Sequence, residues 1–196
     1  MRALQGRKII IKPNFCFSAV FGAFIIWISG CSPTYLSLAE NNPQELIAME
    51  DSLLSQRPED SELKAALIRA HLSLGRRGNR KNEYGKILKL DPGHTEARYF
   101  MAMDEGRRLY NKGGENELWD ALLFFGRAAA IIDTMGEPHY WMAKCYVKKD
   151  EMDFELILEA FDKSLNLFVS DSLLISLKKD RTDLIKRKAV FDDFWK

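Results

Sequence analysis

Cysteine is scarce in this 196-residue chain, with three in all. Cys16, Cys31 and Cys145 stand far apart and form no CxxC pair. A disulfide framework and a paired-thiol metal or redox site are therefore excluded. Histidine is scarce too. His71, His94 and His139 fall on separate predicted elements, without the HExxH spacing of a zinc helix. There is no GxSxG nucleophile elbow and no GxGxxG fingerprint. The glycine pair in "YNKGGENE" lacks the Lys-Ser/Thr that completes a phosphate-cradling loop. Carboxylates are plentiful, but none recur as a pair on one apolar helical face. We expect no catalytic residue, no metal and no cofactor, and do not expect an enzyme. Excess charge is missing as well: 29 basic residues face 28 acidic ones. Such a balance gives no general attraction to nucleic acid.

What is present begins at the N-terminus. Arg2, Arg7, Lys8 and Lys12 precede the apolar run Phe15–Ile28, "FCFSAVFGAFIIWI", with no acidic residue among them. A basic segment followed by an apolar run of this length has the form of a signal peptide. The run is shorter than the roughly 20 residues that span a bilayer. An uncleaved N-terminal anchor helix is the other reading. The run ends in Ile28-Ser29-Gly30-Cys31, which resembles the lipobox of bacterial lipoproteins. Ile28 stands where Leu is commoner. The resemblance implies that Cys31 receives a diacylglyceryl group and that cleavage just before it leaves Cys31 as the first residue. Ser32 after the cysteine implies an outer-membrane destination where two membranes exist. The four leader cations would be lost, leaving 25 basic and 28 acidic residues, a net charge of −3. Cys16 would leave with the leader. Cys145 would remain as the single free thiol, read as a small apolar core residue.

Residues 31–42 would be the lipidated Cys31 and a tether, "SPTYLSLAENN", from Ser32 to Asn42. Beyond it the apolar residues recur at helical spacing. Pro58 and Pro92 stand 34 residues apart, each closing a helical segment. Between them lie "SELKAALIRAHLSLG", the turn "GRRGNRKN" and "NEYGKILKLDP". This helix–turn–helix unit resembles the tetratricopeptide repeat, a helical hairpin of the same period. The resemblance puts Leu67 at the large apolar position, Gly75 at the turn and Tyr84 at the aromatic position of the second helix. Ile68, Arg80 and Ile87 depart from its small residues.

A second unit starts at Thr95, with a turn "NKGGENE" about seven residues longer than usual. Ala121, Phe125 and Ala128 take its small, aromatic and small positions. A third starts at Glu137-Pro138, with Phe161 and Ser164 equivalent. The expected fold is all-α: a superhelical stack of about three such hairpins over residues 43–168. Pro43–Arg57 would be the opening helix and residues 169–196 one or two capping helices, after a signal peptide at 1–30.

The resemblance also implies a function. In such repeats the first helices line a concave groove that holds a polypeptide segment. The groove positions carried over are Ala65, Arg69 and Ser73, then Tyr99, Met103 and Arg107, then Tyr140, Lys144 and Lys148. We read Arg69, Tyr99, Met103, Arg107, Tyr140, Lys144 and Lys148 as a partner-binding strip with four cations and no carboxylate. His71 is read as a core or groove-wall residue and His94 as an exposed turn residue. The basic turn Arg76–Lys81 is read as solvated, with an anionic contact as the sharper alternative. The implied protein is a lipid-anchored interaction scaffold of the bacterial cell envelope, serving assembly or secretion. Its partners would be an envelope protein or peptide segment, and the membrane through its lipid anchor, with no nucleic acid. The alternative is a ligand-handling component of a periplasmic solute transport system.

Overall fold

The computed structural model describes residues 34–78 and 80–195. Cys31 and the apolar run lie outside the described residues. Ten helices are described: α1 (Tyr35–Asn41), α2 (Pro43–Ala48), α3 (Glu50–Gln56), α4 (Ser61–Arg77), α5 (Arg80–Leu90), α6 (Thr95–Lys112), α7 (Glu115–Ile131), α8 (Glu137–Lys149), α9 (Phe154–Leu165) and α10 (Asp171–Phe194). No strand occurs among the described residues, and the chain is all-α.

The helix starts follow from local chemistry. Asp60 accepts from the Leu63 amide at 3.0 Å, and Asp153 from Leu156 at 3.2 Å. Each satisfies an amide that the first turn leaves without a helical partner. His94 is not simply exposed in its turn. It caps α6, its Nδ1 accepting from the Ala97 amide at 3.3 Å. Pro43 and Pro138 stand in first turns, where a missing N–H costs nothing.

From α4 onward each helix packs against the next in the chain. The pairs α4–α5, α6–α7 and α8–α9 form hairpins, and α10 lies against α9. One core region joins Tyr99, Met103, Leu118, Phe125 and Cys145 of α6, α7 and α8. Another joins Tyr140, Ile157 and Phe161 to Leu177 and Leu184 of α10. The small residues Ala121, Ala128 and Ser164 are buried, as are the aromatic residues Tyr84, Phe125 and Phe161.

Three expectations are corrected. Most of the tether is helix α1, capped by the Thr34 hydroxyl, and its Ala39 is buried against Leu63 and Leu67 of α4. Tyr35, Leu36 and Leu38 give this polar-looking stretch an apolar face that covers α4. The opening helix is two helices broken at Met49, which lets Glu50 meet His71. The extra residues of the second unit lengthen its helices instead of its turn. The turn is only Gly113 and Gly114, and Gly113 takes the left-handed conformation, φ 76°, that closes α6. Of the one or two capping helices expected at the C-terminus, the structure has one, residues 171–194, with Leu177 and Leu184 its buried residues.

Candidate functional site

The strip read from the sequence does not assemble as an open groove. Tyr99 and Met103 are core residues, each 1% exposed. Burial pushes the Tyr99 phenol well above its ordinary range, with Glu137 adding to the shift. The Tyr99 hydroxyl is buried and has no hydrogen-bond partner among the described residues. Tyr140 is also buried and donates to Asp180 of α10 at 3.1 Å. Its phenol is raised by burial first and by Asp180 second. Ala65 stays exposed and Ser73 half-buried.

Each cation of the strip has a partner within the chain. Arg69 reaches Glu40 of α1 at 3.1 Å. Arg107 holds Asp104 and Glu137, the latter at 3.0 Å. Lys144 meets Asp180 at 2.8 Å. Lys148 donates to the Tyr110 carbonyl at 3.1 Å and sits 3.8 Å from the Tyr110 ring centre. Carboxylates from α1, α6, α8 and α10 thus engage Arg69, Arg107 and Lys144, while Lys148 is held by a carbonyl and a ring of α6.

A three-residue offset explains the second unit. Counting from Thr95, the equivalent of Gly75 is Leu109. The glycine that actually lies under the aromatic ring is Gly106. Three residues turn an α-helix by about 300°, so the face assigned to the groove rotates by about 60° into the core.

Two other constellations emerge. His71 is fully buried between two carboxylates. Its Nδ1 lies 2.7 Å from Glu83 of α5, and its Nε2 lies 3.2 Å from Glu50 of α3. Asn82 donates to the second Glu83 oxygen at 3.2 Å, and Lys86 approaches Glu50 at 3.8 Å. This network ties three helices together, with His71 and Glu83 buried and Asn82 and Lys86 at its solvent edge. It was missed because its members come from different helices. Among the described residues no cluster of His, Cys, Asp or Glu has the arrangement of a metal site.

The second constellation is an open cleft of about 950 Å³, floored by α6 and walled by α5 and α7. Its lining runs from Thr95 to Arg108 along α6, about 20 Å at 1.5 Å per residue. Leu88, Met101, Phe124 and Ile131 supply apolar surface. Lys81, Arg98, Arg108 and Arg127 supply four cations. Arg108 pairs with Glu105, and this bond holds the Glu105 carboxyl below its ordinary range, against the opposing effect of burial. Arg127 lies 5.1 Å from the Phe124 ring centre. Among the described residues Lys81, Arg98 and Arg127 have no carboxylate at ion-pair distance. The basic turn divides its cations: Arg76 pairs with Glu96 at 2.8 Å, Arg80 lies over Phe100 at 4.7 Å, and Lys81 lines the cleft.

No protein-family model matches the chain, and no curated protein matches it.

Proposed function

We propose that this chain is a lipid-anchored, tetratricopeptide-like interaction scaffold of the bacterial cell envelope, serving an assembly or secretion machine. The α5–α6–α7 cleft carries the reading. It combines open apolar surface with cations that no carboxylate of the described residues satisfies. Such a surface suits the binding of a partner with apolar and acidic groups. The three successive hairpins and their buried aromatic residues support the repeat architecture. The lipobox-like Ile28-Ser29-Gly30-Cys31 after an apolar run supports anchoring through Cys31. No helix among the described residues is long and apolar enough to cross a membrane.

Solute handling is the second reading, favoured by a cleft volume within the roughly 300–1,000 Å³ range of small-molecule sites. The cleft's length of about 20 Å fits a polypeptide segment better than a compact solute. The test is native mass spectrometry of the full chain extracted from envelopes in mild detergent. A polypeptide bound at a fixed ratio is the expected result. A bound small molecule in its place would move the assignment to the transport reading.

A further inference from the structure

We infer that the α5–α6–α7 cleft receives an amphipathic helix of a partner protein, with carboxylates near both ends and an apolar stripe between them. This rests on the interaction-scaffold reading and names the partner's chemistry.

The three helices follow one another in the chain and pack in sequence, α5 on α6 and α6 on α7. Lys81, in the first turn of α5, lies near Glu105 and Arg108 in the second half of α6. Arg98 lies in the first half of α6, and Arg127 in the last turns of α7. The cations therefore stand toward the two ends of the cleft. Met101, Ala102, Phe124 and Leu88 form the apolar surface between them. The two carboxylates of the lining are engaged, Glu105 by Arg108 and Asp104 by Arg107. The net positive charge of the lining is local. The chain after residue 30 carries 25 basic and 28 acidic residues, so this cleft is a basic spot on a segment that is acidic overall.

Length decides the form of the occupant. A trough of about 20 Å matches three to four helical turns at about 5.4 Å each, which present three or four apolar anchors on one face. An extended strand of the same length would send alternate side chains away from the floor, and no strand edge is present in the walls for it to pair with. Apolar anchors would meet Met101 and Phe124, whose adaptable thioether and large ring suit a repacked contact. The end carboxylates would meet Arg98, Arg127 and Lys81, steering encounter and fixing position.

The test is fluorescence anisotropy of synthetic 14-residue helical peptides with the detergent-solubilised full chain. One peptide has an apolar i, i+3, i+4, i+7 stripe with Glu at both ends. A second has Lys in place of Glu, and a third scrambles the stripe. The Glu-ended peptide should bind about tenfold tighter than the Lys-ended one, with the scrambled peptide weakest. The variant Arg98→Glu/Arg127→Glu should reverse the preference, binding the Lys-ended peptide the tighter. Reversal requires a folded cleft, so it cannot come from unfolding or from partition into detergent. Equal binding of the two charged peptides, or an unreversed preference, overturns the inference. Co-purification separates its failure from that of the parent reading. A native partner that stays equally bound to the double variant sinks the cleft assignment alone, while a wild-type chain that retains no polypeptide sinks the scaffold reading with it.

Discussion

The ring of Phe125 lies so closely over Gly106 that a methyl group built on the glycine would meet its Cε1 at 2.6 Å. Tyr84 and Gly75 repeat the relationship in the preceding hairpin, at 2.9 Å. In both, a glycine of the first helix lets the aromatic residue of the second approach the backbone. Gly106→Ala should therefore destabilise the protein, by about 1–3 kcal/mol of overpacking against about 1 kcal/mol gained from helix propensity. Gly126 lies inside α7, and a methyl group built on it would meet no neighbouring atom within 4 Å. Gly126→Ala should raise stability by up to about 1 kcal/mol. Thermal melts of the two variants should move in opposite directions.

Phe125→Ala removes a fully buried ring from the same contact. The expected cost is about 3–5 kcal/mol, a large share of a typical total of about 5–15 kcal/mol. An unchanged melting temperature would place this ring outside the core and refute the packing described.

Tyr99 separates the packing found from the groove read off the sequence. A partner-binding tyrosine would tolerate Phe poorly, whereas a buried hydroxyl without a partner is a burden. Tyr99→Phe should leave the melt unchanged or raise it, by about 1 kcal/mol at most. A loss of more than about 1 kcal/mol would mean that the hydroxyl has a stabilising contact.

Two titratable groups give pH and reactivity tests. His139 is buried, and burial, aided by the nearby Lys163 charge, lowers its affinity for a proton below the ordinary histidine value. The unfolded chain therefore binds the proton more readily. This residue's contribution is intact above the ordinary value, about 6.5, and lost as pH falls through the lowered folded value. The stability difference between wild type and His139→Asn should narrow between pH 7.5 and pH 5. A constant difference would contradict that sign. Cys145 is fully buried, and burial pushes its thiol up to about 12. Peptide mapping after alkylation at pH 8 should find Cys145 unmodified in the folded protein and modified after denaturation.

Much of this fold was legible because helical hairpins write themselves locally. Ser61, Thr95 and Glu137 begin helices where their caps and prolines suggest, and Tyr84, Phe125 and Phe161 fill the core as their period implies. The all-α class and the core setting of Cys145 were likewise readable. What escaped depends on contacts between distant segments. Ala39 and its neighbours look like a polar tether until α4 offers a face to cover. Asp180 takes up both Tyr140 and Lys144 from 40 and 36 residues away. The cleft escaped for the same reason, since Lys81, Arg98 and Arg127 share no single helical face. Periodicity reports one helix at a time, and a rotation of about 60° is enough to exchange groove for core.

The most direct test is photo-cross-linking in intact cells from two exposed positions of the full chain. One is Ala130 on the rim of the cleft, and the other is Arg69 on the strip read from the sequence. With benzoylphenylalanine at each position in turn, a discrete polypeptide adduct should form from position 130 and not from position 69. An adduct from position 69 with none from position 130 would contradict the account, making the strip the binding surface and leaving the cleft without a partner.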